Sequence, residues 1–558
     1  MGRIPTLAPA DRKKLEKAIV AARDAAEKGA AKALEFLAVH EKEARPGMSE
    51  EDRRLRRALR AKARQLGANP EYDLRPLVEE CAYKQWHRML FAGFLADKNL
   101  LMHPEGVPVT LEDCAELAVE EGDLNGWETA ARYVSAMFPD VFRADDPVLE
   151  VNFFPEDQKT LARFLDEIPS DAYKPDDGLG WAYQFWQTKA KKEVNASGRK
   201  ISGPDIPVVT QLFTEDYMVK FLLHNSLGAW WAARNPESPL VKQMEYLRLN
   251  EDGTPAAGSF DGWPDTAAEV TVFDPSCGSG HFLTGAAELL ARMREEEEGR
   301  TEAEAAEAVL AGNLFGLEID ARCTQIAAFA LILWAWRRGG YRPFPTPNIA
   351  CSGTPAGGKV DEWAALARSD YRLEEALRRL HALFQNAPDL GSLMDPARVA
   401  EGRAFARTGT TEMGVASIEE VEGLLNKALD REKNADDPAS AFFGGAARVI
   451  PLSASLMRRR YTLVVTNVPY LARGKQGDVL KDHLETYHPA GKADLATGFV
   501  QRCADYAAPT TPHPAAPTPS SPRRTGSSSA PIRSCASVCS RPRAGTSSPG
   551  STREPSRR

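Results

Sequence analysis

Cysteine is scarce in this chain and never paired in sequence. Its eight cysteines among 558 residues are scattered, with no C-x-x-C spacing. That argues against a zinc ribbon or a secreted disulfide scaffold and suits a reducing cytoplasm. Long apolar runs are also missing. The longest, Cys323 to Trp336, is bounded by Arg322 and Arg337. It falls short of the ~20 residues that span a bilayer, so it reads as a buried helix and no membrane association is expected. The N-terminus is polar and rich in Lys, Arg and Glu, without the apolar core of a signal peptide. No internal repeat, metal-ligand spacing or nuclease motif is visible. A basic balance is absent too, since the net charge is −8. From Ala508 onward eight arginines face one glutamate, a balance of +7 that leaves −15 on the first 507 residues. Contact with nucleic acid would therefore need a local basic patch or a further basic domain.

What is present fits a soluble globular protein, with 43% hydrophobic and 27% charged residues. The length implies two or three domains. Residues 10–65 carry Ala, Leu, Lys, Arg and Glu at helical spacing and read as one or two surface helices. Residues 75–200 stay mainly helical, with Trp86, Phe91, Trp127 and Trp181 as core anchors. Near residue 205 β-branched runs begin to alternate with amphipathic segments, the texture of an α/β sheet. Glu269–Phe273, Leu314–Ile319 and Tyr461–Thr466 read as strands, and residues 355–455 as a helical insertion between strands. The expected organisation is a helical domain over 1–200, an α/β domain over 201–507, and a tail over 508–558. That tail is Pro, Ser, Thr and Arg with few large apolar residues, so it is expected to be disordered and without a strand.

Three motifs carry chemistry. The first is Val272-Phe273-Asp274-Pro275-Ser276-Cys277-Gly278-Ser279-Gly280-His281-Phe282. A strand ends, a small-residue turn follows, and a helix begins near His281. Gly278 and Gly280 let the backbone approach a ligand, and the helix N-terminus offers free N–H groups. An acid at the strand end suits a ligand bearing an ammonium group better than a pyrophosphate, and the third glycine of a dinucleotide site is missing. The second is Gly316-Leu317-Glu318-Ile319-Asp320, where a carboxylate can accept bonds from two ribose hydroxyls and Ile319 can pack on an adenine ring. The acidic stretch Glu295 to Glu307 between these motifs reads as an extra solvated helix. The third is Val464-Val465-Thr466-Asn467-Val468-Pro469-Tyr470. The lone pair of adenine N6 is delocalised into the ring. Two acceptors, the Asn467 side-chain oxygen and the Val468 carbonyl, can hold both N6 hydrogens and localise it. Pro469 stiffens the loop, and Tyr470 can stack on a base that has left its duplex. Upstream, Thr214 can cap a helix and Phe213 can cover a cofactor. Taken singly, each motif also has a plain structural reading as a turn, a strand end or a cap.

In this order the motifs resemble those of the N6-adenine DNA methyltransferases of restriction-modification and phage-defence systems. The helical front end and Gly180-Trp181-Ala182-Tyr183-Gln184-Phe185 look closest to the large Eco57I-type enzymes, including those of BREX or phage-growth-limitation type. The similarity spans roughly residues 75–507. It implies a doubly wound, Rossmann-like α/β fold, S-adenosylmethionine as cofactor, and double-stranded DNA with a flipped adenine as substrate. Other defence-system proteins are further expected partners. The resemblance places the cofactor on Phe213, Thr214, Asp274, Pro275, Cys277, Gly278, Gly280, Glu318 and Ile319. It places the target adenine on Asn467, Val468, Pro469 and Tyr470, and the base pocket near Lys492, Asp494 and Phe499. Two departures stand out. Val468 occupies the usual first proline of an N-P-P-Y loop. Asn348-Ile349-Ala350-Cys351-Ser352-Gly353 lacks the aspartate often found opposite the cofactor's adenine amino group.

The tail from Ser520 to Val538 decodes in a neighbouring frame, with suitable synonymous codons, to V-T-P-Q-N-W-L-F-L-G-S-Y-K-K-L-R from Ser521, a plausible strand, loop and helix. This predicts a frame lost between about residues 507 and 514, set against a natural disordered basic tail that binds nucleic acid. A catalytically dead truncated methylase, an RNA methyltransferase and a protein-glutamine methyltransferase stand as alternatives.

Overall fold

The computed structural model describes residues 8–138, 142, 146–173, 178–211, 214–368, 370–397, 420, 423, 441–508 and 535–537, without the side chains of 441–448 and 535–537. Its centre is a sheet of five parallel strands: β1 Val272–Asp274, β2 Leu314–Glu318, β3 Asn348–Cys351, β4 Leu463–Thr466 and β5 Cys535–Ser537. Their spatial order is β3-β2-β1-β4-β5. Alternation along β1 to β4 buries both faces. Phe273, Phe315, Leu317, Ala350 and Val464 join one core, and Val272, Leu314, Ile349, Leu463 and Val465 the other. A parallel sheet with both faces covered is the doubly wound arrangement.

The strands depart from the sequence expectations in informative ways. β1 starts at Val272 rather than Glu269 because a side chain claims the preceding backbone. Asn313 Nδ2 donates to the carbonyls of Ala267 at 2.9 Å and Val270 at 2.6 Å, leaving Val272 as the first residue to join the ladder. β3, Asn348–Cys351, was not anticipated as a strand. Neither was β5, since the tail was expected to lack one. Ladder hydrogen bonds come from the backbone, so the tripeptide Cys535–Ser537 pairs with β4 without an apolar pattern. The rest of the tail beyond residue 508, with most of its alternative-frame text, lies outside the described residues.

The apolar run Cys323–Trp336 sits inside the helix Ala321–Gly339, which is covered on two sides. Ile326, Phe329, Leu333 and Trp336 pack on the N-terminal helices, while Ala327, Leu331 and Ala335 face the sheet-side core. Two-sided burial explains why so little polar surface survives in its sequence. The first helix, Pro9–Phe36, is a surface helix that buries one face through Leu15, Ile19, Ala22, Ala26, Ala30 and Leu34 and exposes Lys13, Lys17, Asp24 and Lys28. Small residues let neighbours approach: a Cβ on Gly29 would lie 2.8 Å from Phe153. The acidic stretch Glu295–Glu307 divides between two helices, His281–Glu298 and Glu302–Gly312. Gly299, at φ +66°, ends the first, and a Thr301/Glu304 capping box starts the second. Between β3 and β4 the regular elements among the described residues are helical, including Tyr371–Gln385 and Ala441–Arg458. No helix among the described residues is long and apolar enough to cross a membrane.

Candidate active site at the carboxyl ends of the strands

The chain runs β1 to β2 to β3 in one direction across the sheet and then crosses to β4 on the other side of β1. In an open parallel sheet this reversal leaves a crevice outside the carboxyl ends of the two adjoining strands. A cleft opens there. Asp274, Pro275, Cys277, Gly278, Glu318 and Ile319 line it on one side, and Asn467, Val468 and Pro469 on the other.

The turn after β1 is tightly specified. Asp274 Oδ1 accepts the Ser276 N–H at 3.1 Å, Cys277 donates to the Leu317 carbonyl at 2.9 Å, and Gly280 donates to the Cys277 carbonyl at 2.8 Å. Gly280 adopts φ +88°, and a Cβ there would meet Ala327 Cβ at 3.1 Å. Only glycine satisfies both demands. Gly278, at φ +53°, donates its N–H to Glu318 Oε2 at 2.8 Å, while Glu318 Oε1 accepts the Asp320 N–H at 3.1 Å. The two motifs, forty positions apart in sequence, are thus locked together. Asp274 is 1% exposed and Glu318 6%. Burial drives each carboxyl up to about 7. Burial also pushes the Cys277 thiol well above its usual range, so it stays protonated and packs.

β4 delivers Asn467 to the opposite side. Asn467 Nδ2 donates to Thr214 Oγ1 at 3.2 Å. Its Oδ1 is buried and has no hydrogen-bond partner among the described residues. Thr214 is therefore not a helix cap. The helix Asp216–Leu223 starts from Glu215 without a side-chain cap bond, and Thr214 lines the cleft instead. Phe213 lies outside the described residues. Val468 is 1% exposed and packs in the same apolar cluster as Phe273 and Leu495. Tyr470 is half-buried against that cluster and is not among the residues lining the cleft.

Lys492 and Asp494 are not brought to the cleft. Lys492 is exposed. The Asp494 carboxylate caps the helix Leu495–Tyr506 through the Ala496 N–H at 3.0 Å and accepts the Leu471 N–H at 3.3 Å. It anchors the backbone that follows Tyr470, while Leu495 and Phe499 reach the cleft. None of Asn348–Gly353 lines it.

Several lining residues were not singled out as site residues from sequence. Gly180 and Gln184 come from the helix Gly178–Ser197, inside the segment that had marked the family resemblance. Tyr183, between them, donates its hydroxyl to Asp320, and Gln187 donates to that hydroxyl at 2.6 Å. His281 lines the cleft as a neutral imidazole, lowered to about 4 by burial. Asp389–Leu393 arrive from the region between β3 and β4, with no sequence signal to announce them.

Comparison with known proteins bears on what this cleft handles. A family model described as "MmeI, DNA-methyltransferase domain" matches residues 261–338, which hold the glycine turn and Glu318. The adenine-specific methyltransferase BrxX of Escherichia coli O9:H4 (strain HS) is 29% identical over 503 residues, 77% of this chain and 39% of the relative. This chain resembles adenine-specific methyltransferases. The second relative, adenine-specific methyltransferase PglX of Lacticaseibacillus casei (strain Zhang), is 27% identical over 520 residues, 81% of this chain and 40% of PglX. The chain thus spans about two fifths of the length of either curated relative. Among solved structures, a DrdV–DNA complex aligns with a TM-score of 0.40 and 11% identity, covering 89% of this chain and 35% of the other. A likeness that distant supports no inference about chemistry.

Proposed function

We propose that this chain carries the catalytic part of an S-adenosylmethionine-dependent methyltransferase that methylates adenine N6 in DNA, in a restriction-modification or phage-defence setting. One observation carries the reading: the buried Asn467 Oδ1, which has no hydrogen-bond partner among the described residues and shares a cleft with the glycine turn. An unsatisfied buried acceptor costs free energy unless a ligand donor completes it. An exocyclic amine is such a donor. The names of the two relatives support adenine as its bearer.

The residues present fit the donor. Gly278 keeps the turn free of a side chain where it lines the cleft, while Gly280, which does not line it, lets the turn pack against Ala327. Asp274 supplies a buried carboxylate for the ammonium group. Each Glu318 oxygen accepts one backbone N–H and retains a lone pair for a ribose hydroxyl. Ile319 offers an apolar surface to the adenine ring. When bound, S-adenosylmethionine supplies an electrophilic sulfonium methyl. Asn467 Oδ1 and the Val468 carbonyl hold the two N6 hydrogens and turn the nitrogen lone pair toward the methyl. Pro469 limits loop motion, and Tyr470 stacks on the extruded base after a side-chain rotation. The methylated amine is acidic enough to release its proton without a dedicated strong base. Cys277 contributes packing alone.

In the same reading residues 201–507 form the catalytic unit, with 355–455 inserted and 1–200 as a helical front end. That front end is no separate appendage, because Gly180 and Gln184 line the cleft. Double-stranded DNA is the expected partner, other defence proteins are further ones, and the cytoplasm is the expected compartment. The test is transfer of labelled methyl from S-adenosylmethionine to duplex DNA, with N6-methyladenine identified by mass spectrometry. Asn467→Ala is expected to abolish it. Undiminished transfer by that variant, or label found only in RNA or protein, overturns the reading.

A further inference from the structure

The wall of the cleft formed by Asp389–Leu393 has no role in the chemistry above, yet it is built into the site by buried hydrogen bonds. Ser392 is 3% exposed, and its hydroxyl donates to the Pro275 carbonyl at 2.5 Å across 117 sequence positions. The Ser392 carbonyl in turn accepts the Tyr506 hydroxyl at 2.6 Å. Tyr506 is fully buried, edge-on to Phe273 of β1 with ring centroids 4.9 Å apart. One turn earlier, Arg502 donates to the Met394 carbonyl at 2.8 Å and to the Met457 carbonyl at 3.2 Å, with its guanidinium 4.1 Å from the Tyr506 ring centre. The strap is therefore held at Ser392 and Met394 by one helix, Leu495–Tyr506. The other end of that helix grips the backbone after Tyr470 through Asp494.

Backbone geometry sharpens the point. Gly391 adopts φ +51°, and a Cβ there would lie 3.2 Å from both Ile319 Cδ1 and Ser352 Oγ. Glycine is required for conformation and for room beside Ile319.

We propose that Asp389–Leu393 is a strap that sets the cofactor half of the cleft, with Ser392 as a positioning residue acting on the glycine turn through Pro275 and Tyr506 as its support. The strap rests on the reading that this cleft holds S-adenosylmethionine. Pro275 has no N–H, so its carbonyl is that residue's one backbone hydrogen-bonding group, and Ser392 holds it. Removing the Ser392 hydroxyl leaves that carbonyl without this donor and loosens the Pro275–Ser276 end of the turn, ahead of the bonds that hold Cys277 and Gly278. Removing the Tyr506 hydroxyl loosens Ser392 without touching the cleft lining.

The experiment measures binding of S-adenosylmethionine, and of its demethylated product, to the full chain by calorimetry without DNA. Tyr506→Phe and Ser392→Ala are each expected to weaken both ligands by roughly 5- to 10-fold, the effect of losing one buried hydrogen bond. The double variant is expected to be little weaker than either single one, because both remove the same relay. In steady-state assays Tyr506→Phe raises the KM for S-adenosylmethionine and leaves kcat at saturation within about twofold, the split expected of lost uniform binding. Thermal melts of each variant separate this from general loosening. If Ser392→Ala fails to fold, Tyr506→Phe alone decides, since it removes a single hydroxyl and keeps the ring. Unchanged affinity in a folded variant, or additive losses, overturns the strap while leaving the proposed function intact. Failure of the wild-type chain to bind either ligand overturns both.

Discussion

Asp274→Asn is expected to make the ligand-free protein more stable and to remove its response to S-adenosylmethionine. Asp274 is 1% exposed, and burial holds its carboxyl at about 7 against an ordinary value of 3.8. An acid whose folded value is raised favours folding most when protonated. Its contribution is fully present below the unfolded value and is lost as pH rises through about 7. A rise of about three units corresponds to at most ~4 kcal/mol at 1.36 kcal/mol per unit. Asparagine is neutral at every pH and keeps an oxygen for the Ser276 N–H. The variant should match the wild type near pH 4, gain steadily to about pH 7, and level off at roughly 2–4 kcal/mol above it. Denaturant unfolding at pH 5, 6, 7, 8 and 9 measures this. Ligand should reverse the order. A donor at a hundred times its Kd adds about 2.7 kcal/mol to a protein that binds it, and the variant should gain little. A stability difference that is flat with pH would refute the argument that burial of this charge is the cost of the site.

Asn467→Ala should lower methyl transfer by at least ~10²-fold, as loss of a preorganised polar group does elsewhere, with donor affinity unchanged by calorimetry. Val468→Ala probes the opposite case: truncating this buried side chain should cost roughly 1–3 kcal/mol of stability, yet leave kcat within a few-fold, because only the backbone carbonyl is used. Donor affinity of the wild type should fall as pH drops below about 7, where Asp274 and Glu318 become neutral. Titration calorimetry from pH 8 to pH 5.5 reads that slope, and a level profile counts against an ammonium contact to Asp274. Tyr183→Phe removes the hydroxyl that holds Asp320, so donor binding should weaken by roughly fivefold with kcat preserved, as read by KM against kcat.

The glycine turn and Glu318 were legible because their conformations restrict composition. A strand end followed by positive-φ glycines admits few residues, and Gly278 and Gly280 announce themselves for that reason. Pairing across the sheet was not legible at the same resolution. β1 began three residues late because Asn313, far along the chain, occupied the carbonyls ahead of it. The roles of polar residues were the least readable. Thr214 suited a helix cap by type, but its hydroxyl meets Asn467. Asp494 suited a base pocket by position, but its Oδ1 accepts two backbone N–H groups away from the cleft.

By itself the sequence determined the kinds of local structure and the chemistry on offer: a small-residue turn after a strand, an acid after the next, and an amide-bearing loop after a third. Those follow from backbone sterics and side-chain inventory, which are local properties. Only the tertiary structure decided which of these groups meet. The crossing of the chain between β3 and β4 puts Asn467 beside Asp274. The strap at Ser392 closes the same cleft from a segment with no chemical signature, and Gly180 and Gln184 close it from one whose sequence marked only a family resemblance. A hydrogen bond between residues 117 positions apart leaves no periodicity to read, because it depends on one serine and one carbonyl arriving at the same place.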